Sequence, residues 1–411
     1  MNDSIRNKMK NNFARLQGGL FAAVEKADVG SAYNDLQKQG VSMMGWADPF
    51  YPDPSIPAHL LDKAVEILKG GFPSHYTMPI GNEELKEEIA KKLARENKMT
   101  VDPKRNIIIT PGSDSGLLYA MMPFIGEGDE VLVPDPSYPS NFLNAELLGG
   151  KSIPVPLKAD DHYRIDIGAF EERLTSRTRM VLLTNPNNPT TTVFLREDLE
   201  KLAEFICRND LVCVADQAFE STIFDGREMI SIATLPGMEE RTVSVFSISK
   251  GMGLSGFRVG YLVACDTIMD VLFGGAVNVL GATSTLSQLV AIEAFRHPQF
   301  MEEYNQKHDR RRKYAYEVFS RVPGVKINLP ESSFMCWLDV SALGDSTEIV
   351  SYLIREAKVA CNDGKAYGPQ GTGCLRLIIG CYWDDQQSFD AMDRMAAALE
   401  KLARATDVPG R

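Results

Sequence analysis

The sequence offers little that would build a metal site, a disulfide framework or a membrane span. Its 411 residues contain five histidines and seven cysteines, with no H-E-x-x-H pattern and no C-x-x-C pair, so we expect no metal site. An odd number of scattered cysteines indicates reduced thiols and predicts a cytoplasmic protein. No apolar run approaches the roughly 20 residues that cross a bilayer. Residues 1–17 lack the apolar core of a signal peptide.

The sequence also lacks an excess of basic residues. It has 44 Lys and Arg against 55 Asp and Glu, which gives a formal net charge of −11. Nucleic acids and anionic membranes select basic surfaces, so we expect neither as a partner. A serine hydrolase is disfavoured because residues 112–116 read GSDSG, without a G-x-S-x-G elbow. A P-loop is disfavoured because no G-K-[ST] follows the glycines at 371 and 373.

Residues 242–261, TVSVFSISKGMGLSGFRVGY, carry the clearest chemical signal in the chain. They begin as a strand buried on both faces, and Lys250 follows at the carboxyl end, where open α/β sheets bind ligands. A desolvated lysine amine deprotonates more readily and can form a Schiff base. Arg258 can bind a phosphate bidentately, and the Ser247 and Ser249 hydroxyls can add hydrogen bonds. This set predicts a pyridoxal 5′-phosphate (PLP) site, although an isolated lysine at a strand end is more often a solvated residue.

The same segment resembles the cofactor-attachment pattern of class I/II aminotransferases, S-x-S-K-x₅₋₆-G-x-R-x-G-Y. The matching positions are Ser247, Ser249, Lys250, Gly256, Arg258, Gly260 and Tyr261. Other blocks similar to those of this family follow one another from about residue 45 to residue 380. The resemblance implies a PLP-dependent aminotransferase that moves an amino group from an L-amino acid to a 2-oxo acid through a Lys250 Schiff base.

The resemblance also implies a fold: that of the aspartate aminotransferase-like, fold type I PLP enzymes. We therefore expect an α/β domain at residues 50–295, with a mostly parallel central sheet and helices on both faces. Residues 296–411 would form a smaller α+β domain, which the N-terminal segment 1–49 joins. A long helical pattern at 284–322 is expected to link the two domains and to break near residues 297–298, where His-Pro occurs. The basic run at 307–313 predicts a solvated helix face.

A strand-to-turn-to-helix pattern at residues 107–124 predicts the second half of a phosphate site. The glycine Gly112, with Ser113 and Asp114, precedes a helix that we place from Gly116 to Phe124. The first N–H groups of a helix are unpaired and favour an anion, although Ser and Asp here are also ordinary N-caps. In family members selective for acidic substrates, a lysine often stands at the position of Asp114. A carboxylate there predicts poor activity on aspartate and glutamate.

Four further residues receive cofactor roles from the resemblance. Tyr138 would stack on the cofactor ring, and Asn188, in the NPNNPT block, would donate to the ring oxygen and border the substrate. Asp216 ends an apolar strand, where burial is costly without a partner, and it would pair with the ring nitrogen. The family pattern D-x-x-Y ends here in Phe219, which cannot donate to the ring oxygen. We therefore expect the Lys250 Schiff base to titrate about one to two units higher than in members with tyrosine.

Three more assignments concern the substrate and the neighbouring subunit. Arg376, in an L-R-L block, would bind the substrate α-carboxylate bidentately. Residues 45–49, GWADP, resemble a G-D-P segment over the active site, and this places Trp46 and Ala47 near that carboxylate. Tyr76 matches a tyrosine that reaches the neighbouring subunit's cofactor phosphate, so we expect a homodimer.

Two alternatives remain open at this stage. The stretch Gly45 to Asp48 also resembles the W-x-A-D of cystathionine β-lyase relatives, so a PLP-dependent C–S β-lyase or amino-acid decarboxylase is the main competitor. A non-enzymatic regulator with an aminotransferase-like module would need a DNA-binding domain. Residues 1–40 are too few and insufficiently basic to form one.

Overall fold

The computed structural model describes residues 8–10 and 29–406. Within the predicted N-terminal segment 1–49, residues 1–7 and 11–28 therefore lie outside the described residues. The central element is a seven-stranded sheet with the strand order β2-β8-β7-β6-β5-β3-β4. Its strands are β2 Ile107–Thr110, β3 Glu130–Asp135, β4 Lys151–Pro156, β5 Thr178–Thr184, β6 Val212–Asp216, β7 Thr242–Ser247 and β8 Gly260–Val263.

The central sheet is parallel except at one strand. β8 runs antiparallel to both of its neighbours, β2 and β7, whereas the remaining pairs are parallel. Parallel strands buried on both faces read as continuous apolar runs. The burial of every residue of β2 and β3 agrees with this rule. The prediction of a mostly parallel α/β sheet is confirmed.

Helices cover both faces of this sheet because successive strand residues point to opposite sides. Ile107 and Ile109 of β2 pack in one apolar cluster, while Ile108 between them packs in another. The α-helices are α1 Val29–Lys38, α2 Ala58–Lys69, α3 Glu83–Lys92, α4 Ser113–Met121, α5 Pro139–Leu147, α6 Ile167–Glu171, α7 Arg196–Arg208, α8 Asp266–Val279, α9 Thr285–Arg296, α10 Phe300–Phe319, α11 Ser346–Glu356 and α12 Asp385–Ala405. The first cluster includes residues of α2, α3 and α9, and the second includes residues of α4 and α8.

A second, four-stranded sheet follows in the C-terminal part, with the order β12-β13-β10-β9 and antiparallel pairing throughout. A separate two-stranded sheet forms where β1, at residues 42–43, pairs in parallel with β11. The strands are β1 Ser42–Met43, β9 Lys326–Ile327, β10 Met335–Asp339, β11 Val359–Ala360, β12 Asn362–Asp363 and β13 Cys374–Ile378. The core of this part includes α11 and α12 residues such as Leu353 and Leu399.

The helix after β2 starts earlier than the sequence predicted. It spans Ser113–Met121 and not Gly116 to Phe124, because Gly112 takes φ +88° and turns the chain directly from the strand into the helix. This conformation favours glycine. The predicted break near 297–298 is confirmed, since α9 ends at Arg296 and α10 begins at Phe300.

The expectation of a solvated basic face on α10 is wrong for two of its arginines. Arg311 and Arg312 are fully buried, whereas Arg310 is exposed. Arg311 donates to Asp385 and to the carbonyls of Cys381 and Tyr382. Consecutive helix residues point in different directions, so one charged run can supply both a solvated and a buried face.

None of the helices within residues 8–10 and 29–406 is long and apolar enough to cross a membrane. The seven cysteines all lie within this described part of the chain, and none forms a disulfide there.

Candidate active site

Lys250 lies in the turn that follows β7, at the carboxyl end of the parallel strands. Its amine donates to the backbone carbonyl of Ala47, and the Ser255 hydroxyl donates to Asp48, so the 45–49 segment covers this turn. Burial lowers the pKa of Lys250 to about 8, and the positive charges of Arg376 and Arg258 act in the same direction. The amine therefore loses its proton, and becomes nucleophilic, much more readily than an exposed lysine does.

Asp216 ends β6, the strand beside β7, and its carboxyl group is buried. Burial raises the pKa of Asp216 to about 7, although the Ala218 N–H donates to Oδ1 at 3.1 Å and Thr184 adds a hydrogen bond. Within the described residues Asp216 forms no ion pair, and the positive charge of Lys250 only partly offsets the effect of burial on its pKa. A buried carboxyl of this kind suits a cationic ring nitrogen, whose charge would stabilise the carboxylate.

Gly112 and Arg258 lie together opposite the start of α4. A Cβ built on Gly112 would stand 2.2 Å from Nη2 of Arg258, so the guanidinium occupies the space that a side chain would need. Arg258 is exposed, and its Nη1 donates to the Ser255 carbonyl at 2.8 Å. The guanidinium therefore lies beside the N-terminus of α4, whose first N–H groups have no partner within the helix, and this combination suits a phosphate.

The two serines before Lys250 shape its turn. The Ser249 N–H donates to the Ser247 hydroxyl at 3.1 Å, and Ser249 is buried.

Across the site, Tyr138 precedes α5 and is half-buried. Burial and the charge of Asp114 raise the pKa of Tyr138 to about 12, so its phenol stays neutral. Asp114 also acts electrostatically on Lys250 and Asp216, which places this exposed carboxylate at the site.

Arg376 occupies the middle of β13 and is fully buried. Its guanidinium donates to Asn188 Oδ1 at 3.2 Å, to the Gly45 carbonyl at 3.1 Å and to Asn362 Oδ1 at 2.8 Å. The ring of Tyr367 lies 4.9 Å from the guanidinium carbon. These acceptors are all neutral, and within the described residues Arg376 forms no ion pair. A buried cation without a counter-ion is costly, so this geometry favours an incoming carboxylate.

Asn362 and Tyr367 were missed by the sequence interpretation. Residues 362–364 read Asn-Asp-Gly, which indicates only a turn. Asn362 meets Arg376 through the pairing of β12 with β13, and Tyr367 reaches it from the short 3₁₀ helix Gly364–Tyr367 that follows β12. No local pattern in the sequence carries that information.

The remaining predicted residues differ in how close they lie to this centre. Phe219 is buried against Phe334, with ring centroids 5.6 Å apart, and offers no donor. Trp46 is partly exposed beside Gly45 and Ala47. Tyr76 is 93% exposed, and its predicted role across an interface stays a prediction.

Comparisons with known proteins give a consistent result. A family model described as aminotransferase class I and II matches residues 42–395. An aromatic-amino-acid aminotransferase of Thermococcus litoralis is 31% identical over 367 residues, which cover 88% of this chain and 92% of that protein. An aspartate aminotransferase of Musicola paradisiaca is 31% identical, with coverages of 86% and 87%. The aromatic aminotransferase structure from Pyrococcus horikoshii superimposes with a TM-score of 0.84 at 30% identity, covering 91% and 99% of the two chains.

These similarities favour a transaminase over the lyase or decarboxylase that the sequence left open. Aminotransferases of this type use PLP, and the groups around Lys250, Asp216 and Arg258 fit that cofactor's aldehyde, ring nitrogen and phosphate. The chain belongs to the class I and II aminotransferases, and is a PLP-dependent enzyme that moves an amino group from an amino acid to a 2-oxo acid.

Proposed function

We propose that this aminotransferase acts on L-amino acids whose side chains are not acidic, with Lys250 as the base and Arg376 as the carboxylate-binding residue. The observation that carries the proposal is the buried Arg376 guanidinium, whose hydrogen-bond partners in the described chain are all neutral. A planar guanidinium binds a carboxylate bidentately, so Arg376 would fix the α-carboxylate and thereby orient the Cα–H bond.

PLP, when bound, supplies the electron sink that stabilises negative charge developing at Cα. The chain supplies the remaining functions. Lys250 would attach the cofactor between turnovers and, once displaced by substrate, take the Cα proton with a pKa near its working pH. Asp216 would hold the proton on the ring nitrogen, and Arg258 with the N-terminus of α4 would bind the phosphate. The phenol of Tyr138 and the amide of Asn188 would border the ring.

Asp114 supports the exclusion of acidic side chains. Its negative charge acts on Lys250, Tyr138 and Asp216, which supports a position beside the space where substrate would bind. A second substrate carboxylate entering this space would be repelled. Asp114→Asn would remove the repulsion with little change in shape, and serves as the matched variant for substrate tests.

A single-turnover experiment tests the proposed function. The PLP-loaded enzyme is mixed with a panel of L-amino acids without any 2-oxo acid acceptor, and the visible cofactor absorbance is followed. We expect one equivalent of 2-oxo acid per active site from aromatic or aliphatic amino acids and little from aspartate or glutamate. Asp114→Asn should raise the aspartate rate selectively. Continuous release of pyruvate, ammonia and sulfide from cysteine would instead establish a lyase, and a preference for aspartate would refute the specificity.

We also propose a cytoplasmic homodimer in which Tyr76 reaches the neighbouring active site. An exposed apolar face on α2 supports this, because Leu61, Val65 and Leu68 recur at helical spacing, and two further exposed apolar residues, Phe72 and Met78, follow the helix. The segment that carries Tyr76 contacts the start of α9, where the Thr285 hydroxyl donates to the His75 carbonyl at 2.6 Å. Exposed apolar patches of this kind mark protein interfaces.

The domain division at residues 1–49, 50–295 and 296–411 remains part of the proposal. The pairing of β1 with β11 supports the assignment of residues near 42 to the smaller domain. The apolar cluster that joins Met44 with Leu338, Leu353 and Leu399 supports it too.

A further inference from the structure

The residue that holds the edge of the Arg376 guanidinium is Asn362. Its Oδ1 accepts from Nε at 3.2 Å and from Nη2 at 2.8 Å. The Tyr367 hydroxyl donates to the same oxygen at 3.3 Å, while the Tyr367 ring lies against the face of the guanidinium. Asn362 therefore fixes one edge of the Arg376 guanidinium, and Tyr367 covers one of its faces.

The backbone explains why Asn362 reaches this position. Asn362 of β12 stands directly opposite Arg376 of β13 in an antiparallel pair, and opposed residues project their side chains to the same face. Asn362 also abuts the segment above the site, since a Cβ built on Gly45 would be 3.1 Å from its Nδ2. The amide thus lies between Arg376 and the residues that cover the substrate space.

The chemistry of this contact is unusual for a buried arginine. An aspartate at position 362 would give a stronger, charge-assisted hydrogen bond and would neutralise the guanidinium. Asn362 has nearly the same shape but no charge. The adjacent carboxylate of Asp363 is engaged elsewhere, because it accepts from Ser346 at 2.7 Å and from Thr347 at 2.6 Å. The positive charge of Arg376 is left for a ligand.

We propose that Asn362 is a positioning and specificity-determining residue, which orients Arg376 and keeps its charge available, so that the enzyme selects amino acids over amines without a carboxylate. This inference rests on the proposed role of Arg376. It adds that the neutrality of residue 362, and not only the presence of an acceptor there, determines recognition of the carboxylate.

The test uses the PLP-loaded enzyme and two substrates that differ by a carboxylate, L-phenylalanine and 2-phenylethylamine. Single-turnover rates against substrate concentration give the apparent Kd and the maximal rate for each. Asn362→Asp keeps the shape and adds a charge, Asn362→Leu keeps the volume and removes the acceptor, and Arg376→Leu removes the cation. Cofactor absorbance and thermal unfolding report whether each variant is folded and loaded.

We expect Asn362→Asp to weaken L-phenylalanine binding by about tenfold or more, with no loss of affinity for the amine. Asn362→Leu should weaken L-phenylalanine binding less than Asn362→Asp does, and also leave the amine unaffected. If Asn362→Asp does not fold, the selective loss in Asn362→Leu still tests the positioning role. The inference would be overturned if the Asn362 variants weakened the binding of both substrates equally, or if they changed the apparent Kd of neither. An unchanged ratio in Arg376→Leu would instead refute the proposed function itself.

Discussion

The guanidinium of Arg258 occupies the space that a side chain on Gly112 would fill. A Cβ at Gly112 would come within 2.2 Å of Nη2, closer than any side chain tolerates. Arg258 lies just before β8, and Gly112 lies in the turn before α4. Their contact therefore joins separate parts of the chain. Their proximity places a positive charge next to the unpaired N–H groups of a helix, which is an arrangement suited to phosphate.

Gly112→Ala should displace the Arg258 guanidinium and weaken PLP binding. The loss of one hydrogen bond to a charged group is worth about 1.5–3 kcal/mol, so we expect the Kd for PLP to rise at least about tenfold. Gly128→Ala is the matched control, because Gly128 has a similar φ of +83° but open space around it. Titration of the cofactor-free protein with PLP gives both constants. Equal affinities in the two variants would refute the phosphate role of this contact.

Phe219 predicts an unusual pH dependence of the bound cofactor. A phenol at this position would donate to the ring oxygen and stabilise the deprotonated form of the Lys250 linkage. A hydrogen bond to a charged group is worth about 1.5–3 kcal/mol, and one pKa unit corresponds to about 1.4 kcal/mol. Phe219→Tyr should therefore lower the midpoint of the visible absorbance by about one to two pH units. Coincident midpoints for the two proteins would remove the hypothesis.

Two adjacent arginines of α10 predict very different contributions to stability. Arg310 and Arg311 both pair with Asp385, but their side chains are 53% and 0% exposed. Arg311→Met would leave the buried carbonyls of Cys381 and Tyr382 without this donor, at a cost of about 1–3 kcal/mol each, and would leave Asp385 paired with Arg310 alone. Arg310→Met removes an exposed pair and should cost less than about 1 kcal/mol. Urea unfolding of both variants makes the comparison, and equal losses would contradict the assignment of a structural role to Arg311.

The sequence predicted those parts of the site that local patterns encode. Lys250 and Asp216 each end a run of apolar residues, so their position at the carboxyl edge of the sheet follows from chain order alone. Asn362 and Tyr367 could not be predicted in this way, because Asn362 meets Arg376 through the pairing of two strands and Tyr367 meets it from the short helix that follows β12. The burial of Arg311 was also unpredictable, since its acceptors are carbonyls about 70 residues later in the chain.

The exposed face on α2 predicts that single charges will dissociate the proposed dimer. Leu68 belongs to this face and is 56% exposed, whereas Leu195 is 41% exposed and lies outside it. Leu68→Glu should shift sedimentation toward a monomer, because a charge would be buried without a partner. Leu195→Glu, the matched control, should sediment as the unmodified protein does. A monomeric and fully active unmodified protein would contradict the dimer and the role of Tyr76.

Borohydride trapping tests whether the Lys250 amine bonds covalently to the cofactor. Cofactor-free protein is mixed with PLP at several pH values, reduced after short times, digested and mapped by mass spectrometry. We expect one labelled peptide, which contains Lys250, and a labelling rate that rises through about pH 8 as the amine loses its proton. Lys250→Arg should carry no label at this site. A stable adduct on another lysine, or none at all, would contradict the account.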